Sequence, residues 1–361
     1  MVLPPPPSEP PPGVLGRRSA LLGTAAWCLG AAACSGGAKS SPAPSSSGGG
    51  SRGPSAAASP TGSPSASGSP SASGSPSGPA DTLSKAVPWR PGPGEIEPAA
   101  KLAAVRLVEA LGTWSAGQSG REAAAARLVA LGVSESLAVQ LSDASGSLAP
   151  SADAAVVRVI DAQYGGIMSD TASVLVVCDQ PTLAGSAVHH GGTTVDVRLS
   201  RDSGGWAVTA LHPAAPGPAK ALGPAARDVL AQSRIELPPA SVADIRSGAV
   251  HDSVLRAMLR LAGSYRLSVS VVRSGHPLDV FGTDRPSDHP LGRAFDVWRI
   301  DGRPVVDPST SRSLITGFMR AGAAAGSYNV GGPVQLAGGA TANQFFSDDT
   351  HHDHVHVGFS S

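Results

Sequence analysis

Apolar and polar positions change rhythm twice along this chain. In "EPAAKLAAVRLVEALGTW", Leu102, Val105, Val108 and Leu111 recur at near-helical spacing and predict an amphipathic helix. "SGREAAAARLVALG" predicts a second helix with Ser119 as N-cap and Gly132 as stop, and "SESLAVQLSD" a short third. The pattern then turns to short apolar or alternating runs, "AAVVRVIDAQYG", "ASVLVVCDQ" and "TTVDVRLSRDSGGWAVTALHP". These predict strands, the last folded into a hairpin at "RDSGG". Folded sequence therefore starts near Trp89 and makes an α+β unit ending near Pro213.

"PAAPGPAKALGP" reads as a short linker. After it, "AARDVLAQSRI" and "HDSVLRAMLRLAGSY" predict helices and "RLSVSVVRSG" a strand. "RAFDVW" reads as another strand, with Phe295 and Val297 facing a core and Ala294, Asp296 and Trp298 facing away. "SLITGFMRAGAAAG" predicts a helix and "GAAAGSYNVGGP" a loop in which Gly331 and Gly332 shape a wall. "FFSDDTHH" is expected to be a solvated approach to the last strand. In that strand, "DHVHVGF", His354 and His356 share one face while Val355, Val357 and Phe359 take the other. An affinity tag has no reason to interleave valines at period two, so the terminal histidines are read as part of a folded domain.

Upstream of Trp89 no such rhythm exists. Residues 35 to about 80 are almost wholly Ser, Gly, Pro and Ala, with the near-repeat "GSPSASGSPSASGSPSG". That composition cannot bury a core large enough to offset chain entropy, so a disordered tether is expected. Before it, Arg17-Arg18 precede an apolar run from Ala20 to Ala33, too short to span a bilayer comfortably and ending in small residues. The arginine pair looks like a twin-arginine export signal. "AAAC" resembles a bacterial lipobox, which makes Cys34 the expected acylated residue and the outer face of the cell membrane the expected location. Cleavage near Ala33 and free secretion is the alternative. The expected divisions are 1–34 export signal, 35–85 tether, 86–215 N-terminal domain and 225–361 C-terminal domain.

Charge adds an exclusion. Lys plus Arg and Asp plus Glu both number 27 and only 15% of residues are charged, so nothing points to nucleic acid. Of the three cysteines, Cys28 leaves with the signal and Cys34 carries lipid. Cys178 is then a buried strand residue, and no internal disulfide is expected. His189-His190 reads as a solvated loop pair.

Chemistry concentrates in "SGHPLDVFGTDRPSDHPLGRAFDVWRIDG". Within it, residues 287–296 have the form S-x-H-x-x-G-x-A-x-D. A turn at Gly292 brings His289 and Asp296 to one point if "RAFDVW" is a strand. One imidazole, one carboxylate and a distant second imidazole form a ligand set suited to catalytic zinc with a position left open.

This motif, followed by a C-terminal H-x-H, resembles the LAS superfamily: D-Ala-D-Ala carboxypeptidases and dipeptidases, murein endopeptidases and the zinc-binding hedgehog domain. The resemblance covers about Leu255 to Phe359 and implies a domain with an antiparallel sheet. It implies His289, Asp296 and His356 as Zn2+ ligands, Ser287 at the substrate rim and His354 beside the metal. The family's general-base Glu is replaced here by Asp353, with His354 or His351 as rivals for the role. The family's carboxylate-binding Arg is replaced by His276, leaving Arg285 or Arg273 to serve. The helix-then-hairpin pattern of the N-terminal domain resembles the NTF2-like superfamily and implies no active site. The implied function is a membrane-anchored zinc peptidase acting on peptidoglycan stem peptides or cross-links. A metal-containing wall-binding or regulatory lipoprotein without turnover is the alternative, and surface metal capture a third.

Overall fold

The computed structural model describes residues 83–361, so the export signal, Cys34 and most of the tether lie outside the described residues. The first predicted helix is α1 (Pro98–Gly112), with proline in its first turn, where the missing N–H costs nothing. It buries Ala104, Val105, Leu107, Val108 and Leu111, and also Lys101. In α2 (Arg121–Ala130) the cap position falls on Gly120 rather than the expected Ser119, whereas Gly132 ends it with a φ of 91°. Ser134 precedes α3 (Glu135–Asp143).

The strands that follow are β1 (Ala154–Ala155), β2 (Arg158–Ile167), β3 (Thr171–Asp179), β4 (Thr182–Ala184), β5 (Ala187–His189), β6 (Gly192–Asp202) and β7 (Gly205–Pro213). The sheet β2-β3-β6-β7 is antiparallel throughout, and β1, β4 and β5 form a small second sheet. Helix α1 packs with this main sheet in one core that includes Val105, Val108, Tyr164, Val176 and Val197. Cys178 is fully buried there, its thiol donating to the Thr193 carbonyl. His189 ends β5 instead of lying in a loop, and both it and His190 are exposed.

Residues 214–223 run without regular structure but pack down, with Ala214 N–H donating to Thr194 O and Lys220 N–H to Arg246 O. Then come α4 (Pro224–Ala231), β8 (Ile235–Glu236), α5 (Pro239–Arg246), α6 (Asp252–Ala262), β9 (Leu267–Val269), β10 (Ala294–Ile300), β11 (Arg303–Pro304), α7 (Arg312–Ala324), β12 (Asn329–Gly331), β13 (Phe345–Phe346) and β14 (Val355–Gly358). Helix α5 has too weak an apolar stripe to announce itself in the sequence. The expected loop at "GAAAGSYNVGGP" contains strand β12, which pairs with β14.

The C-terminal sheet runs β13-β12-β14-β10-β9-β8, with β11 on β10. It is mixed rather than antiparallel, because β12 with β13 and β8 with β9 are parallel pairs. Its central strands send Phe295, Val297, Val355 and Val357 into a second core with Val254, Met258 and Leu261 of α6 and Phe318 of α7. The described residues thus hold two hydrophobic cores within one compact unit of mixed α+β structure. Among them no helix is long and apolar enough to cross a membrane.

Candidate metal centre

Strand register sets the site. Asp296 on β10 and His356 on β14 are direct partners in an antiparallel pair, which puts their side chains side by side on one face. His289 arrives from the preceding turn. Gly292 has φ 70° there, its N–H donates to His289 O, and a Cβ would stand 2.0 Å from Ala249 O. The position requires glycine for both reasons.

The three groups converge. His289 Nε2 lies 3.1 Å from Asp296 Oδ1 and 3.1 Å from His356 Nδ1, and the latter two atoms are 3.0 Å apart. The other nitrogen of His289, Nδ1, donates to Val272 O at 3.0 Å, which fixes the ring with Nε2 directed at its two neighbours. Burial, reinforced by the neighbouring His289, pushes His356 down to about 4, so its ring is neutral at pH 7. Burial works against ionisation of Asp296, but the facing histidines outweigh it and hold the carboxyl well below its usual range. Two imidazoles and a carboxylate, with atoms this close, fit a tetrahedral cation, whose ligands at about 2.0–2.2 Å stand only slightly farther apart.

His276 is a fourth group at the site, with a nitrogen within 4.8 Å of ligand atoms on His289 and Asp296. It stacks on His289 at 4.1 Å between ring centres and 17° between planes. Near-parallel stacked rings keep their in-plane nitrogens in separate planes, so His276 and His289 do not meet at one ion, whereas His289 and His356 are inclined at 61° with nitrogens 3.1 Å apart. Burial holds His276 well below the usual imidazole range, with His289 adding to the effect, and it forms part of the cavity wall.

A cavity of about 580 Å³ opens over the three converging side chains, lined also by Tyr164, Ser287, Arg285, Tyr328, His351 and His354. Ser287 is buried, with its hydroxyl 3.4 Å from His276 Nδ1 and accepting from His289 N–H at 3.4 Å. Arg285 lines the cavity with an exposed side chain. Arg273 instead lines a neighbouring cavity of about 720 Å³, beside Asp244. Tyr328 donates to Asp288 Oδ2 at 2.6 Å on the rim.

Asp353 departs from the expected proton-accepting position. It does not line the cavity: Oδ2 accepts from Lys101 Nζ at 2.6 Å and from Tyr164 N–H at 3.1 Å. Its Oδ1 accepts from His354 Nδ1 at 2.6 Å, and His354 Nε2 then points towards Asp296 Oδ2, 3.6 Å away. Burial opposes a charge on His354, but Asp296 and Asp353 outweigh it and raise the ring to about 8. The four terminal histidines therefore differ. His356, His354 and His351 face the cavity, the last bonded to Asp348 at 2.7 Å. His352 turns away and accepts from Ile96 N–H at 3.1 Å. A second acidic and imidazole cluster, Glu95, His352 and Asp353, surrounds Lys101 Nζ, which bonds both carboxylates and already supplies the cation.

The sequence did not point to Lys101, Gln163 or Tyr164, and it marked His276 only as standing in place of an arginine. Lys101 carried a readable signal, a charge on the buried stripe of α1. Gln163 is a lone amide in an apolar strand, which by itself names no partner. Comparison with known protein families, curated proteins and solved structures found no match for this chain.

Proposed function

We propose that the chain is a zinc-dependent peptidase of the LAS type, hydrolysing amide bonds in peptidoglycan stem peptides or cross-links, with His289, Asp296 and His356 holding the metal. The observation that carries this reading is the mutual 3.0–3.1 Å approach of three buried metal-ligating atoms at the floor of an open cavity. Their arrangement within the motif S-x-H-x-x-G-x-A-x-D and the terminal H-x-H supports the family likeness, and the first half fits an NTF2-like accessory domain. Zinc in a site of two imidazoles and one carboxylate polarises a carbonyl oxygen and lowers the pKa of water towards about 7.

The chain's own residues divide the remaining work. With its ring neutral, above about pH 8, His354 Nε2 faces the reacting centre as proton acceptor: it takes a proton from the attacking water and passes it to the leaving amine. Asp353 orients that ring through Nδ1–H and favours its charged form once it has taken a proton. Asp353 is thus a positioning residue, and Lys101 keeps it ionised and in place. Ser287 and Tyr328 border the substrate path, and Arg285 is the cavity cation available to a peptide carboxylate. A lipid anchor at Cys34 would place this site at the outer face of the cell membrane.

Two measurements test the reading. The purified chain should carry about one zinc by elemental analysis, and His356→Ala should lose it. Incubated with peptidoglycan sacculi, the zinc-loaded chain should release new stem-peptide fragments visible by mass spectrometry, and His354→Ala should release none. Stoichiometric zinc without fragments would instead leave the non-catalytic wall-binding lipoprotein.

A further inference from the structure

Oδ1 of Asp296 faces His289 and His356; its other oxygen is held from the opposite half of the chain. Gln163, on β2 and 1% exposed, donates from Nε2 to Asp296 Oδ2 at 2.7 Å. The Gln163 carbonyl accepts from the hydroxyl of Ser270, which is itself fully buried. An ionised carboxylate can only accept, which turns the amide nitrogen of Gln163 to Asp296 and leaves the amide oxygen to accept from Ser270. Among the described residues Gln163 is the hydrogen-bond donor to Oδ2, because His354 Nε2 stands off at 3.6 Å.

The backbone around Gln163 is shaped for this reach. Register shifts interrupt the β2–β3 pairing on both sides of it, between Val159 and Asp161 and between Tyr164 and Gly166. Such bulges re-aim side chains that a regular ladder would send elsewhere. After Tyr164 come two glycines, and a Cβ on either would crowd a packed neighbour; on Gly165 the closest atom would be Ser173 Oγ of β3 at 2.6 Å. At Gly165 a Cβ would also meet Pro277 at 3.0 Å, and at Gly166 the Phe281 side chain at 2.1 Å. Strand β2 is thereby pressed against the segment that carries His276 and Phe281.

We propose that Gln163 is a positioning residue of the metal centre: it holds the Asp296 carboxylate to one-oxygen coordination and tunes its affinity from the N-terminal half of the chain. The N-terminal half is then a structural part of the centre. This rests on the metal reading above. Partners of ligating side chains fix ligand orientation, and their loss typically costs about 10–100-fold in metal affinity.

The test uses the full chain and zinc alone, with affinity read by competition against a chromophoric chelator and ligand geometry by the visible absorption of the cobalt-substituted protein. Gln163→Leu should weaken zinc binding by about 10–100-fold and alter the cobalt spectrum. Ser270→Ala, which frees the amide without removing it, should shift affinity in the same direction by less. Gln180 is the control: an equally buried amide of the same half, donating to Gly112 O and Leu148 O at 2.8 and 2.7 Å. Gln180→Leu should lower the unfolding midpoint yet leave zinc affinity and the cobalt spectrum as in the parent. Wild-type affinity and spectrum in both Gln163→Leu and Ser270→Ala would overturn the proposal, as would an equal loss in Gln180→Leu. Should Gln163→Leu fail to fold, Ser270→Ala alone decides. A parent chain that binds no zinc would overturn the metal reading as well, which separates the two failures.

Discussion

At the scale of single residues, the unusual feature is a buried ionic cluster whose members come from both halves of the chain. Lys101 is fully buried and bonds Glu95 and Asp353. Burial works against its charge, but the Asp353 carboxylate beside it outweighs that and raises its pKa. Removing one member of such a cluster leaves the other charge uncompensated, so Lys101→Met is expected to cost about 3–5 kcal/mol in a denaturant titration. Asp161 is the ill-fitting member: one carboxyl oxygen has no hydrogen-bond partner, and burial raises its pKa from 3.8 to about 7. The folded state then keeps a proton that the unfolded chain releases near pH 4. The contribution of Asp161 to stability consequently falls as pH rises from about 4 through 7 and levels off above. Asp161→Asn removes that titration, so its stability relative to the parent should rise from pH 4.5 to pH 8 by more than about 1 kcal/mol. Equal differences in denaturation midpoint at the two pH values would refute the assignment.

Secondary-structure elements show which parts of the site a sequence can announce. Alternation in "RAFDVW" and "DHVHVGF" separates Phe295, Val297, Val355 and Val357 from Asp296 and His356, and the structure places the first four in a core and the last two at the site. Register and ring angle are tertiary, and they decide that His356 and not His354 meets Asp296. The Gln163 and Lys101 contacts span 133 and 252 residues, which no local pattern encodes. Asp353 reads as a base in the sequence because its spacing to His356 imitates E-x-x-H; only the approach of α1 and β2 shows why it faces away. Gly292 is the position where element geometry and chemistry depend on one atom. Gly292→Ala must relieve both a φ of 70° and a 2.0 Å clash with Ala249 O. It is therefore expected to displace His289 and lower zinc content measured by elemental analysis, along with the unfolding midpoint. In β3, burial pushes the Cys178 thiol up to about 12, so thiol reagents should label it only after denaturant is added.

For the whole molecule, the question is whether the two cores unfold separately. Each has its own apolar cluster, which by itself would permit independent melting. The bonds between them argue otherwise, because opening the interface exposes Lys101, Asp353, Gln163 and Asp296 at once and strips Oδ2 of its donor. A cation held at His289, Asp296 and His356 should then stabilise the N-terminal sheet although every proposed ligand lies on the C-terminal side. At free zinc one hundred times the dissociation constant the gain is about 2.7 kcal/mol. The expected result is one calorimetric transition that moves upward as a unit when zinc is added. Amide exchange should slow in β2, at Tyr164 above all since its N–H is bonded to Asp353, as well as in β10 and β14. Two transitions, with only the C-terminal one responding to zinc, would show the halves to be energetically separate. The Gln163 and Lys101 contacts would then be a docking feature without influence on the centre. A single shifted transition with slowed exchange in β2 would instead mean that metal binding and the folding of the N-terminal half are one linked equilibrium.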